Sequence, residues 1–196
     1  MSAANRLPVV LLWHMHQPQY KDALTGQYTL PWTYLHAIKD YTDMAAHLEQ
    51  NPAARAVVNF TPVLLEQLDE LSQRIAQHLL TGAPLPGPGL ALLGPDPVPT
   101  DPEQRLALLQ ACLRANRKNL VERFPPFLKL VTAAQQCASL DRIAEASDAL
   151  IHDLVVWYHL AWMGETVRRS DARVAALSSA MPSMAMRSNG GWSRSP

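Results

Sequence analysis

The sequence predicts an α/β chain, mostly helical by residue count, and three observations carry that prediction. Residues 7–18, LPVVLLWHMHQP, form a continuous apolar run too short for most helices, closed by Trp13, His14, Met15 and His16 and stopped by Pro18. Residues 56–60, AVVNF, form a second short, β-branched run, and a helical pattern lies between the two. Over residues 103–174 apolar residues recur only at helical spacing. The order strand, helix, strand, helix implies parallel strands joined by a right-handed crossover.

The first run reads as a buried strand delivering polar side chains at its carboxyl end, where parallel α/β sheets bind ligands. Residues 19–33 follow as a polar and aromatic loop carrying Tyr20, Gly26, Tyr28, Pro31 and Trp32, long enough for a functional strand-to-helix connection. Over residues 34–50, Leu35, Ile38, Tyr41, Ala45 and Leu48 recur near helical spacing, and Asn51 with Pro52 stops the helix. After AVVNF, Thr61 and Pro62 suit an N-cap and first turn, and the helix continues through Leu64, Leu65, Leu68, Leu71, Ile75 and Leu79. Residues 1–81 are therefore expected to hold two βα units.

Residues 82–102, GAPLPGPGLALLGPDPVPTDP, are expected to be an exposed linker, because proline and glycine at this density stop helices and central strands. Asp101 and Pro102 suit an N-cap and first helical residue, opening a helical block over residues 103–174. Its helices are expected at 103 to about 124, 126 to about 139 and 141 to about 169, with Pro125 and Pro126 parting the first two. The last is apolar on most sides and needs neighbours all round, which the visible chain does not obviously supply. Residues 175–196 lose periodicity and read as a disordered tail.

Composition narrows the function classes. With 196 residues, 48% of them apolar, and 17 basic against 17 acidic side chains, the chain suits a soluble globular protein. No basic excess points to nucleic acid, and no basic amphipathic helix points to a membrane surface. Cys112 and Cys137 are far apart in helical segments and read as buried free thiols rather than a disulfide or a metal pair. The amino-terminal stretch carries histidines and no small-residue cleavage site, so neither a signal peptide nor a membrane span is expected, and a cytoplasmic location follows. The oligomeric state is left open.

His14 and His16 are one residue apart, so on a strand both project to one face. Two imidazoles there could bind a divalent metal, move protons, or hydrogen-bond a polar ligand. A metal needs further ligands, and His36, His47, His78, His152 and His159 all fall on helical segments, so no metal and no cofactor is expected. Gln17, Tyr20 and Trp32 add directional amide bonding and aromatic faces, a combination that suits a sugar. Asn59, at the end of the second strand, could face the same pocket or bond its own turn. Lys39, Asp40, Glu66, Asp69 and Glu70 read as solvated helical faces, while Asp148 with His152, and Glu165 with Arg168 or Arg169, read as polar pairs on helices. Glycoside hydrolysis needs two carboxyl groups flanking the bond, and no acidic residue stands at a recognisable strand end.

WHMHQPQY, followed by LPWTYLHAIKDYTDM and AVVNFTPVLLEQLDEL, resembles the amino-terminal region of glycoside hydrolase family 57, and DLVVWYHLAWMGETVRRSD is similar to the helical continuation of its α-amylase-like members. The resemblance is densest over residues 8–71 and returns at about 150–171. It implies retaining enzymes that hydrolyse α-glucans or transfer glucosyl units, built on an incomplete (β/α)7 barrel followed by helical regions. His16 matches the histidine that contacts the sugar beside the scissile bond, and His14 and Trp32 match positions shaping the same pocket. The family's nucleophilic glutamate and acid/base aspartate stand on later strands, and no segment here matches either motif, so Glu165 and Asp171 do not inherit those roles. The expectation is an amino-terminal fragment, cut short before the catalytic carboxylates and inactive alone, with His14, His16, Gln17, Trp32 and Asn59 as substrate-binding residues for an α-glucan or maltooligosaccharide. Two alternatives stay open: a sugar-binding or regulatory module without catalysis, and a metal-dependent hydrolase using the His-x-His pair.

Overall fold

The computed structural model describes residues 7–94 and 98–185; the remainder of the linker and of the carboxyl-terminal stretch lies outside them. Strands β1 (Leu12–Met15) and β2 (Val57–Phe60) pair in parallel, with His14 opposite Asn59 and Met15 opposite Phe60. Among the described residues the other regular elements are helical, and the two strands form one small sheet.

Between the strands run α1 (Trp32–His36), a π-helical segment (Ala37–Tyr41) and α2 (Thr42–Gln50), where the sequence predicts one regular helix. The widened turn is held by Thr42, whose hydroxyl donates to the Ala37 carbonyl five residues back at 2.8 Å. Helix α3 (Pro62–Thr81) opens on Pro62 after an extended Thr61, although the Thr61 hydroxyl makes no cap bond. It closes on Gly82 at a φ of 72°, a left-handed C-cap that glycine adopts without strain.

The first strand is not buried. Val10 is 78% exposed and Leu12 62%, whereas Met15 is buried and Trp13 half-buried. Alternation along the strand turns Trp13 and Met15 inward, while the opposite face, with Leu12, His14, Val57 and Asn59, has no covering layer among the described residues.

The linker also departs from expectation. Residues 88–91 form a one-turn helix, α4 (Pro88–Ala91), and Leu92 is buried in the helical core. Beyond it, Arg105 donates to the carbonyls of Pro99 at 3.0 Å and Ala146 at 2.5 Å and pairs with Asp148, fastening the end of this stretch to the block. Asp148 is thereby engaged, and His152 lies instead 3.7 Å from Asp153.

The block contains α5 (Pro102–Leu113), a second π segment (Arg117–Val121), α6 (Pro125–Gln136), a 3-10 turn (Ile143–Glu145), α7 (Asp148–Trp162), α8 (Glu165–Ser170) and α9 (Ala172–Ala185). Asp101 caps α5 by accepting from the Gln104 amide at 3.0 Å, as its position predicts. The long helix expected over 141–169 is divided by a Ser147 cap and a Gly164 break. Helix α7 has its neighbours after all: α5, α6 and α9 pack on it, and Ile151, Leu154, Val155, Trp157 and Leu160 are buried there with Phe127, Leu109 and Leu35. The core therefore sits in the helical block, and Leu35 joins the amino-terminal unit to it. Where a disordered tail is expected from 175, the chain continues as α9; residues 186–196 lie outside the described set. Cys112 and Cys137 are free and buried, and burial pushes the Cys112 thiol up to about 12.

Candidate functional site

The parallel register sets His14 beside Asn59, and Nδ1 of His14 lies 2.7 Å from Asn59 Oδ1. That contact places the Nδ1 proton toward Asn59 and leaves Nε2 of the neutral ring as an acceptor. His16 stacks on His14 with ring centres 6.0 Å apart and planes 8° from parallel. Both rings are exposed at the carboxyl end of β1. One residue on, Gln17 turns inward, its amide nitrogen donating to the Tyr41 hydroxyl at 3.3 Å. Four of the five candidate residues, His14, His16, Gln17 and Asn59, thus gather at the strand ends. Trp32 packs on the helical block, its ring 6.0 Å from that of Trp162.

The loop after the strand is held from below by a residue the sequence reading passed over. Gln67, 1% exposed, donates to the Pro18 carbonyl at 2.9 Å and to the Val63 carbonyl at 3.2 Å. Its side-chain oxygen accepts from the Tyr20 amide at 3.1 Å and the Thr33 hydroxyl at 3.4 Å. One turn later Glu70 pairs with Lys21 at 2.9 Å and with Arg74 at 2.6 Å and accepts from the Tyr28 hydroxyl, so it is not the solvated side chain the sequence suggests. Burial, with the Glu70 charge beside it, pushes the Tyr28 phenol up to about 12. A polar residue at 67, in the stripe of Leu64 and Leu71, was the signal available in the sequence.

Beyond Gln17 the polar surface continues. The Tyr41 ring lies 6.3 Å from His36, and His36 meets Trp162 edge-on at 5.9 Å. His36 and Lys39 each approach Asp40 at 2.5 Å. Burial works against the Asp40 charge, but these two partners outweigh it and hold the carboxyl below its usual range. His36, Lys39, Asp40 and Trp162 line an open cavity of about 810 Å³ whose other wall carries Asn119, Arg123, Glu165 and Arg168. Glu165 accepts from Arg168, from Arg169 at 2.7 Å and from Arg123 at 2.5 Å. The Arg168 bond, against the cost of burial and with Arg123 alongside, holds the Glu165 carboxyl down to about 2.

Asp43 ties the two walls together, accepting from the amides of Glu165 at 2.8 Å and Thr166 at 2.9 Å. Burial disfavours its charge, yet those amides keep its carboxyl below the ordinary range. A depressed native pKa contributes stability above the unfolded value of about 3.9, and that stability is lost as pH falls through the native value. The Tm difference between the wild type and Asp43→Asn should therefore be largest near neutrality and shrink at about pH 3 and below. An Asn variant as stable as the wild type at every pH would remove Asp43 from that role.

No group of three or more His, Cys, Asp or Glu side chains among the described residues is placed to hold a metal ion. No described helix is long and apolar enough to cross a membrane. The sequence model of Glycosyl hydrolase family 57 matches residues 10–168, from inside the exposed strand run to α8, and so takes in both the histidine edge and the cavity. The chain belongs to glycosyl hydrolase family 57. It is thus a member of a carbohydrate-active family, and the family span ends within α8. No curated protein and no solved structure matches the chain.

Proposed function

We propose that this family 57 chain binds an α-glucan or maltooligosaccharide along the edge formed by His14, His16, Gln17 and Asn59. In the family's retaining chemistry it supplies sugar contacts rather than the reacting carboxylates. The observation that carries this reading is the stacked imidazole pair at the carboxyl end of β1, with His14 oriented by Asn59 across the parallel ladder. Two exposed rings offer donors and acceptors at a spacing that suits neighbouring sugar hydroxyls. His16, free of the Asn59 contact, is the group best able to meet a hydroxyl beside the scissile bond and to stabilise charge developing there. Trp32 stands apart from this edge and packs on Trp162, which lines the neighbouring cavity. The exposed apolar surface of Val10, Leu12 and Val57 supports a sheet that further strands complete, and the glutamate and aspartate of the two-step mechanism belong on those strands.

Calorimetric titration with a maltooligosaccharide tests the binding. The wild type should give saturable heat, and His16→Ala should weaken the affinity about tenfold, the loss of one or two hydrogen bonds. No saturable heat from the wild type overturns the reading. Soluble starch tests the rest: the chain should release no reducing ends, and robust turnover abolished by changing one of its own carboxylates would show that it carries the chemistry itself.

A further inference from the structure

The two π-helical segments among the described residues stand 76 positions apart in the chain, counted from Tyr41 to Arg117, yet they flank the same cavity. The first brings Lys39 and Asp40 to its wall, and the second brings Lys118, Asn119 and Leu120. Such widened turns occur rarely and often at functional sites, because the extra residue redirects side chains that a regular helix would place elsewhere. Here both redirect polar groups into one space of about 810 Å³, within the range of small-molecule sites.

The chemistry of the wall selects a class of ligand. Its cations, Lys39, Lys118, Arg123 and Arg168, are matched in number by the carboxylates Asp40, Asp43, Glu122 and Glu165, so no net charge calls for an ion. Planar amide, carboxylate and guanidinium groups converge beside the half-buried Trp162 ring. Paired donors and acceptors beside an aromatic face are what a neutral polyol with an apolar ring face requires. A chain of contacts links the histidine edge to the cavity wall: Gln17 bonds Tyr41, the Tyr41 ring lies beside His36, and His36 meets Trp162, the last two lining the cavity.

We propose that this cavity is a second saccharide site, separate from the histidine edge, which holds glucosyl units of the same glucan between the two π segments. The assignment of a glucan rests on the family reading above, whereas the placement rests on the cavity alone. Asn119 and Lys118, exposed and with no side-chain bond to the rest of the chain among the described hydrogen bonds, are the residues that reach the sugar hydroxyls.

Titration of the full chain with maltotriose, followed by amide NMR, reads the two places separately. The amides of Lys118 and Asn119 should shift and saturate in the wild type and continue to do so in His16→Ala. Asn119→Ala and Lys118→Ala, both at exposed positions and so compatible with folding, should each raise the Kd read at the cavity by about three- to tenfold, while the shifts at His16 and Gln17 persist. Shifts confined to His16 and Gln17 overturn the second site and leave the edge reading standing. Shifts confined to the cavity support the second site and overturn the edge. No shift at either place overturns both, and cavity shifts indifferent to both substitutions overturn the contacts assigned here.

Discussion

Gln67→Leu should lower the stability of the chain by about 3 kcal/mol, because a buried amide with four partners is replaced by a side chain that satisfies none of them. Each buried polar group left without a partner costs about 1–3 kcal/mol, and the Tyr20 amide and the Pro18 carbonyl are part-buried when they meet Gln67. The extra apolar burial of leucine offsets only part of that. Urea unfolding reads the total, and amide hydrogen exchange at Tyr20 should rise with it, since its protecting acceptor is gone. Gln67→Glu separates the parts: it keeps acceptors for Tyr20 and Thr33, removes the donors to Pro18 and Val63, and places a carboxylate in a 1% exposed position. It should be at least as damaging as leucine. A loss below about 1 kcal/mol for both variants would mean that the loop holds itself, through the Asp22 turn and the Lys21–Tyr28 bridge.

The same residue shows what the sequence reveals and what it hides. The strand and helix order, the Asp101 cap and the Pro62 start follow from local chemistry, in which a residue's own backbone preference decides the outcome. His14 and His16 sharing a face follows from strand geometry alone, and Asn59 beside them needs only the strand to end where AVVNF ends. Side-chain partners that only the tertiary fold brings together carry no such local sign. Glu70 reads as a solvated face until Lys21 and Tyr28 fold over it, and α7 reads as short of neighbours until α5, α6 and α9 enclose it. The π segments are hidden for a different reason. Their apolar spacing differs from that of a regular helix by a single residue, and Thr42, whose hydroxyl occupies the displaced carbonyl, is an ordinary helix residue in any sequence reading. Burial of the first run fails for a third reason: apolar character predicts what a strand would cover, while the covering layer must come from elsewhere.

The junction at Gly164 ties the amino-terminal unit to the block tightly enough that one methyl group should be felt. A Cβ built there would lie 2.7 Å from Asp43 Oδ1 and 3.0 Å from the Lys39 carbonyl oxygen, both inside normal contact. The Gly164 amide also donates to the Ile38 carbonyl at 2.8 Å, so the glycine cannot retreat without breaking a bond to the first π segment. Gly164→Ala should therefore cost about 2–3 kcal/mol, the upper part of the range for forcing extra volume into a packed site. Asp43→Ala alone should cost about 1 kcal/mol, as for the loss of a capping carboxylate. The double variant should fall short of their sum, because removing the Asp43 side chain clears the nearer obstacle. It should not fall to the cost of Asp43→Ala alone, because the Lys39 carbonyl is backbone and stays in place. Thermal or urea unfolding of the four proteins reads this coupling directly, and strict additivity would show that Gly164 and Asp43 act independently. Since Glu165 follows Gly164 and Lys39 carries the obstructing carbonyl, and both line the cavity, Gly164→Ala should weaken the saccharide binding proposed at Asn119 before it disturbs the histidine edge.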